Sequence, residues 1–250
     1  FNFKSCKDTY ISVIESINHA SWALNFKPAV LWLDSEKYEQ NPSKLKELKD
    51  LDGIIVPGGF GKRGTEGMIL AANYARVNMI PYFGLCLGVQ IMTIAFARDV
   101  LNLKRANSTE MDPNTPDPVI ATMADQVDKI KNKNYGASMR LGSYPANLEK
   151  GSIAFVSYGI SKISERHRHR YEVNTKYIAE LQKAGLVFSG KSPDGVLMEI
   201  VELPKNVHPF YLGTQFHPEF KSRPLNPHPL FTAFLKACLP AQASVQKAKK

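Results

Sequence analysis

Cysteine is scarce in this sequence, and long apolar runs are absent. The three cysteines, Cys6, Cys86 and Cys238, are odd in number and far apart, which excludes a disulfide framework or a cysteine metal knuckle and favours a reducing, cytoplasmic location. The most apolar stretch, 82–97, is interrupted by glycines and polar residues, so no run approaches the roughly 18 apolar residues of a membrane span. Polar residues at the start argue against a secretory signal. The sequence therefore predicts neither a membrane partner nor a metal site.

The composition is that of a folded globular chain. The 250 residues are 44% hydrophobic and 22% charged, which is enough apolar content to bury a sizeable core. The first residue is Phe1 and not Met, which indicates a domain excised from a longer protein or further residues before it. Lys and Arg number 32 against 23 Asp and Glu, a net charge of +9, so an anionic partner such as nucleic acid stays open at this point.

Helical and strand-like segments alternate in the first hundred residues. Apolar residues recur at helical spacing over 10–20, and short apolar runs at 29–33, 53–57 and 79–84 are typical of buried strands. Helices are predicted at 65–77, with Thr65 as the N-cap, and at 88–98. Because strands joined by helices over short connections indicate βαβ units, we predict an α/β fold with a mostly parallel central sheet and flanking helices.

The pattern weakens and then resumes. Three prolines and a polar stretch predict a loop over 112–134. Beyond it, strands are predicted at 187–188, 196–203 and 210–216, and helices at 175–184 and 229–238.

A cysteine lies between a predicted strand and a predicted helix, in the sequence Gly84-Leu85-Cys86-Leu87-Gly88. A nucleophile on such a tight turn is open to a substrate, and the N-terminus of the following helix stabilises a thiolate. Cys86 is therefore a candidate nucleophile. On this pentapeptide alone, a buried structural cysteine is an equally good interpretation.

A histidine and a carboxylate that suit such a nucleophile follow in Gly213-Thr-Gln-Phe-His217-Pro218-Glu219. His217 would share the thiol proton and Glu219 would orient the imidazole ring, as acyl transfer requires. A lone histidine is more often a capping or core residue, and that alternative stands for His217 by itself.

A glycine-rich turn, Pro57-Gly58-Gly59-Phe60-Gly61, follows the predicted strand at 53–57. Its glycines would let a backbone N–H point at a developing oxyanion. Such turns are common after strands, so this motif is weak by itself.

Together and in this order, the three motifs resemble the class I glutamine amidotransferase family, which has a flavodoxin-like α/β fold. Four further motifs resemble the glutaminase domain of the CTP synthases: Asn107-Ser-Thr-Glu110, Met139-Arg140-Leu141-Gly142, Glu165-Arg-His-Arg-His-Arg-Tyr-Glu172 and Gln215-Phe-His-Pro-Glu-Phe220. These motifs span most of the chain, so the resemblance implies a single glutaminase domain over residues 1–250.

The resemblance implies L-glutamine as the substrate and a catalytic triad of Cys86, His217 and Glu219 that acts through a glutamyl thioester. It implies an oxyanion hole made of backbone N–H groups from Gly59 or Phe60 and from Leu87. The residues that it implies in glutamine binding are Gly58, Gln90, Glu110, Arg170 and Tyr171, with Glu110 on the ammonium and Arg170 on the carboxylate. Without the resemblance, Glu110 and Arg170 would be interpreted as solvated surface charges.

The resemblance also implies a larger parent enzyme, a homotetramer with an N-terminal amidoligase domain. That domain would use ATP and Mg²⁺ to convert UTP to CTP with the ammonia, and GTP would act as an activator, with Arg63 and Arg140 as candidate contacts. We therefore expect this chain to hydrolyse glutamine without a cofactor of its own, and not to make CTP.

The arginine-rich motif at 165–172 is by itself typical of a phosphate or nucleic-acid patch. If the segment is a strand, the arginines lie on one face and the histidines on the other. No aromatic stacking platform accompanies it, so the resemblance favours glutamine binding and ion pairing over nucleic acid. Two alternatives stay open: an amidotransferase that supplies another acceptor, and an inactive glutaminase fold that serves as a binding module.

Overall fold

The computed structural model describes residues 7–122 and 139–239. In this part of the chain the α-helices are α1 (Ile11–Ala23), α2 (Glu36–Gln40), α3 (Thr65–Val77), α4 (Leu87–Asp99), α5 (Ile153–Tyr158), α6 (Thr175–Lys183) and α7 (Pro229–Cys238). Its strands are β1 (Ile54–Val56), β2 (Tyr82–Leu85), β3 (Ala106–Ser108), β4 (Asp117–Thr122), β5 (Arg140–Leu148), β6 (Lys162–His169), β7 (Tyr171–Val173), β8 (Val187–Lys191), β9 (Met198–Glu202) and β10 (Tyr211–Thr214). Short 3₁₀ helices cover Lys7–Tyr10, Pro42–Asp50 and Pro218–Phe220.

Seven of these strands form the main sheet, in the order β1-β2-β10-β9-β8-β5-β6. The pairs β1–β2 and β2–β10 are parallel, and the other four pairs are antiparallel. A smaller sheet has the order β3-β4-β7.

The α/β class is confirmed, but the prediction of a mostly parallel sheet holds only for β1, β2 and β10. Parallel neighbours need a long crossover connection, and α3 provides one between β1 and β2. The segments that join β8 to β9 and β9 to β10 contain no helix, so these neighbours run antiparallel.

Hydrophobic residues fill both sides of the parallel part of the sheet. Side chains alternate along β2, so Tyr82 packs with α3 and α4 on one side, while Phe83 and Leu85 pack with α1 and α7 on the other. Helix α4 is buried over most of its length. The turn before α4 is therefore fixed by packing on both sides.

Two of the predicted segments differ from the structure, and the N-cap of α3 is Gly64 and not Thr65. The apolar run at 29–33 forms no strand, and Val30, Leu31, Trp32 and Leu33 are exposed. A strand needs a hydrogen-bonded neighbour as well as apolar residues, and among the described residues β1 has a partner only in β2. The loop predicted at 112–134 contains β4, which pairs with β7, while 123–134 lies outside the described residues.

Among the described residues, no helix combines the length and the apolar character that crossing a membrane requires.

Candidate active site

Cys86 lies on the sharp turn between β2 and α4. Its backbone has φ +51° and ψ −95°, a left-handed conformation that is uncommon for residues other than glycine. The Cys86 N–H donates to the Thr214 carbonyl of β10 over 2.7 Å, which ties the turn to the sheet. Because α4 begins at Leu87, the first N–H groups and the positive end of the helix lie beside the thiol.

Two glycines allow the chain to turn so sharply. A Cβ on Gly84 would lie 2.5 Å from the carbonyl carbon of Gly88, and a Cβ on Gly88 would lie 2.2 Å from the carbonyl oxygen of Val56. Both contacts involve backbone atoms, which cannot move aside as the end of a side chain can. The glycines flanking Cys86 are thus required for α4 to pack on β1 and β2.

His217 follows the end of β10, which lies next to β2 in the sheet. Its N–H donates to the Arg166 carbonyl over 2.8 Å, and its ring stacks on Phe220 with centroids 4.9 Å apart. Its Nδ1 lies 2.7 Å from Oε1 of Glu219, so the carboxylate accepts the Nδ1 proton and fixes the tautomer. The other nitrogen, Nε2, has no hydrogen-bond partner among the described residues and is the one left for Cys86 and a substrate.

The charge state of His217 depends on its two neighbours. Burial lowers its pKa, but the Cys86 side chain and the Glu219 carboxylate outweigh burial and raise the pKa to about 10. The imidazolium is therefore favoured at neutral pH. A protonated His217 beside Cys86 can stabilise a thiolate and can deliver a proton to a leaving group.

The glycine-rich turn after β1 packs directly against these side chains. A Cβ on Gly58 would lie 2.7 Å from Cε1 of His217 and 3.5 Å from Cβ of Cys86. A Cβ on Gly59 would lie 3.1 Å from Cδ2 of Leu87. The glycine-rich turn thus lies against Cys86, His217 and Leu87, and the Phe60 ring is exposed, 5.8 Å from the guanidinium carbon of Arg168.

The residues predicted to bind glutamine also come together. Oε1 of Glu110 accepts the Gly61 N–H over 2.9 Å, which links the segment after β3 to the glycine-rich turn. Burial raises the pKa of Glu110, and the Gly61 N–H and the charge of Arg170 oppose that rise. Burial raises the pKa of Tyr171, the charge of Glu110 adds to that rise and the charge of Arg170 opposes it. Glu110 and Arg170 thus interact electrostatically with each other and with Tyr171.

Gln215 was not predicted from the sequence as a functional residue, yet it contacts the nucleophile. Its Nε2 lies 3.8 Å from Sγ of Cys86, and its Oε1 lies 3.4 Å from Nε2 of Gln90. Gln90 also donates to the Tyr171 carbonyl over 2.9 Å. The motif around His217 contained Gln215, but no charge or spacing signalled a contact with Cys86.

Behind the site, the side chains of β6 alternate between an exposed and a buried face, as predicted from the sequence. Arg166 and Arg168 are exposed, whereas His167 and His169 are buried with Nδ1 and Nε2 3.0 Å apart. Burial, reinforced by the charge of Arg140, lowers the pKa of His167 to about 2 and that of His169 to about 3. Both rings are therefore neutral.

The buried face of β6 meets one cation and two carboxylates. Arg140 lies 2.7 Å from Glu199 and 3.6 Å from Glu172, and its guanidinium carbon is 4.4 Å from the centre of the Tyr144 ring. The Arg140 side chain is 8% exposed, and its guanidinium forms these ion pairs. This burial argues against the prediction that Arg140 contacts a nucleotide activator.

Arg63, the other predicted activator contact, lies on the surface. Its side chain is 62% exposed and forms a two-pronged pair with Glu36, with Nε and Nη2 at 2.8 and 2.7 Å from the carboxylate oxygens. A phosphate would have to displace Glu36 to bind it.

The remaining cysteines differ from Cys86. Burial, with the charge of Asp52, raises the pKa of Cys238 to about 12, so this thiol stays protonated. Cys6 lies outside the described residues. Within 7–122 and 139–239 there is no group of three or more His, Cys, Asp or Glu side chains that could hold a metal ion.

Comparison with known proteins gives a consistent result. The family model for class-I glutamine amidotransferase matches residues 5–237. Curated proteins named CTP synthase from Acidothermus cellulolyticus and Rubrobacter xylanophilus are 52% and 53% identical to this chain over 93% and 94% of its length. This chain spans 42% of the length of each. The solved glutaminase domain of Trypanosoma brucei CTPS with bound acivicin superposes with a TM-score of 0.88 at 39% identity, covering 95% of this chain and 90% of that one.

Proposed function

Since this chain belongs to the class I glutamine amidotransferases, as a glutaminase domain of the CTP synthase type, we propose that Cys86, His217 and Glu219 hydrolyse the side-chain amide of L-glutamine. The observation that supports this proposal is the arrangement of these three side chains. A strained cysteine at a helix N-terminus faces a histidine whose other nitrogen is 2.7 Å from a carboxylate.

The reaction proceeds in two balanced steps. The Cys86 thiolate attacks the amide carbonyl of glutamine, and the C–N bond breaks as His217 gives its proton to the departing ammonia. A glutamyl thioester remains. Neutral His217 then takes a proton from water, the hydroxide adds to the thioester carbonyl, and the C–S bond breaks to release glutamate and restore the thiolate.

Negative charge develops on the carbonyl oxygen in both steps. The backbone N–H groups of Gly59 or Phe60 and of Leu87 are proposed to hold this oxyanion, with Gly58 leaving room for the substrate beside the imidazole. Loss of one such donor typically slows the reaction about 10²–10³-fold.

Substrate selection is proposed to rest on the charged ends of glutamine. Glu110 would pair with its ammonium and Arg170 with its carboxylate, while Tyr171 and Gln90 line the same pocket. The proximity of Glu110, Arg170 and Tyr171 supports this assignment.

The released ammonia would serve an acceptor outside the described residues. We propose that this chain, as one glutaminase domain, acts with an amidoligase domain that uses ATP and Mg²⁺ to convert UTP to CTP, in a cytoplasmic homotetramer. GTP would be the activator, and only Arg63 of the two candidate contacts has an exposed guanidinium for its phosphates.

A labelling experiment tests the triad. A glutamine-analogue electrophile should modify Cys86 in the wild-type chain and leave Cys86→Ala unlabelled, while Cys238→Ala, the matched control, is labelled like the wild type. Mass spectrometry locates the adduct, and ammonia release from glutamine, with and without GTP, measures turnover. Labelling at Cys6 or Cys238 alone, or equal ammonia release by Cys86→Ala, would show an inactive fold or another mechanism.

A further inference from the structure

Among the described residues, the sulfur of Cys86 has hydrogen-bonding contacts with two groups besides His217. Nε2 of Gln215 donates to Sγ over 3.8 Å, and Sγ donates to the Arg168 carbonyl, also over 3.8 Å. These two neighbours favour opposite charge states of the sulfur. An amide N–H stabilises a negatively charged sulfur, whereas a carbonyl oxygen can accept a hydrogen bond only from a protonated one.

The orientation of the Gln215 amide follows from its other contacts. The Tyr171 carbonyl can only accept, so the group of Gln90 that faces it over 2.9 Å is the nitrogen. The same nitrogen lies 3.4 Å from the Gln215 amide and donates to Oε1 there. The NH₂ group of Gln215 is therefore the end that faces the sulfur.

This amide is also costly to bury. Gln215 has no exposed surface and Gln90 is 3% exposed. An apolar side chain would fill the same space without the cost of removing an amide from water. The Gln215 N–H donates to the Glu199 carbonyl over 2.8 Å, which holds the residue in place within the sheet. A fixed, fully buried donor next to a nucleophile is what a preorganised site contains.

We propose that Gln215 is a catalytic residue of this site, whose side-chain amide donates to Sγ of Cys86 whenever the sulfur carries negative charge. This inference rests on the proposed glutaminase function. Before attack, the amide stabilises the thiolate together with His217. When hydroxide opens the thioester, the C–S electron pair returns to sulfur, and the same N–H stabilises the departing thiolate. When the sulfur is protonated, the S–H donates to the Arg168 carbonyl instead.

Alkylation by iodoacetamide tests the proposal without glutamine. The rate is measured from pH 5 to pH 10, with Cys86→Ala subtracted as the background from other cysteines. Gln215→Leu should move the midpoint of the pH–rate curve up by about one pH unit, so about tenfold less reactive thiolate is present below both midpoints. Gln215→Glu keeps the shape of the side chain but places a carboxylate beside the sulfur, and should move the midpoint further up.

Thr93→Val is the matched control. It removes a buried hydrogen bond of 2.8 Å to the Val89 carbonyl within α4 and does not touch Sγ, so its alkylation curve should equal that of the wild type. Circular dichroism establishes that each variant is folded, and if Gln215→Leu fails to fold, Gln215→Glu decides. Wild-type curves for the folded Gln215 variants would overturn the role of Gln215 while leaving the glutaminase function intact. Failure of the wild-type chain to release ammonia would instead overturn the glutaminase function.

Discussion

At the scale of single residues, the site is a set of contacts around one sulfur and one imidazole. The positions of Cys86 and His217 could be predicted because glycines and a following proline mark their turns in the sequence. The proposed role of Gln215 could not be predicted from the sequence, because it depends on a contact with Gln90, which lies on α4. The burial of Arg140 could not be predicted for a similar reason, since the sequence around an arginine does not indicate whether it pairs with buried carboxylates in the fold.

His217 allows a direct test of the electrostatics of the site. Its pKa of about 10 reflects Cys86 and Glu219, which outweigh the lowering effect of burial. In an NMR titration, the His217 ring should stay protonated well above pH 7 in the wild type. Cys86→Ala removes one of the two favourable neighbours, so the midpoint should fall toward the usual value near 6.5. A midpoint that does not move in Cys86→Ala would mean that the thiol and the imidazole do not interact.

At the scale of helices and strands, local patterns predicted the parallel part of the fold well. Helices 65–77 and 229–238 match α3 and α7. The remaining strands were harder to predict, because β4, β5 and β7 depend on pairing with distant segments and not on local composition. At 29–33 the local composition predicted a strand that does not form, because no strand among the described residues pairs with this exposed apolar run.

Helix α5 illustrates how a distant residue stabilises an element. Glu202 in β9 accepts the N–H groups of Ile153 and Ala154 over 2.6 and 3.1 Å, and the Ser189 hydroxyl over 2.8 Å. Glu202→Leu removes three hydrogen bonds to a buried carboxylate and leaves their donors unsatisfied. We expect the free energy of unfolding to fall by about 2–4 kcal/mol.

Urea denaturation measures this change. Glu180→Ala, at an exposed position of α6, is the control and should stay within about 0.5 kcal/mol of the wild type. Equal midpoints for Glu202→Leu and Glu180→Ala would contradict a stabilising role for Glu202.

At the scale of the whole molecule, two halves with different architecture meet at one site. The parallel strands β2 and β10 carry Cys86 and lead to His217, and the antiparallel part contributes β6 and the buried charges behind it. Since the His217 N–H donates to the Arg166 carbonyl of β6, the position of His217 relative to Cys86 depends on both halves.

The buried histidines of β6 predict that the folded protein loses stability in acid. His167 and His169 have folded pKa values of about 2 and 3, below the usual value near 6.5, so the unfolded chain binds protons that the folded chain does not. Their contribution to stability is present above pH 6.5 and is lost as the pH falls toward 3. Each histidine should add a slope of up to about 1.4 kcal/mol per pH unit in that window.

Denaturation curves at a series of pH values check this expectation. His167→Gln and His169→Gln should each be less stable than the wild type at pH 7 but lose stability less steeply on acidification. Taking the difference between variant and wild type removes the contribution of buried carboxylates such as Glu199, whose pKa burial raises. Parallel curves for variant and wild type would contradict neutral buried histidines.

The alternation along β6 also restricts how this gene can change. Replacing one outward side chain, such as Arg166, alters one surface position and leaves its backbone carbonyl on His217. Deleting or inserting one codon between 165 and 169 would exchange the two faces of the strand downstream of the change. Arginine side chains would then enter the core and histidines would leave it. In this segment, selection should therefore act more strongly against changes in the number of residues than against substitutions of the exposed side chains.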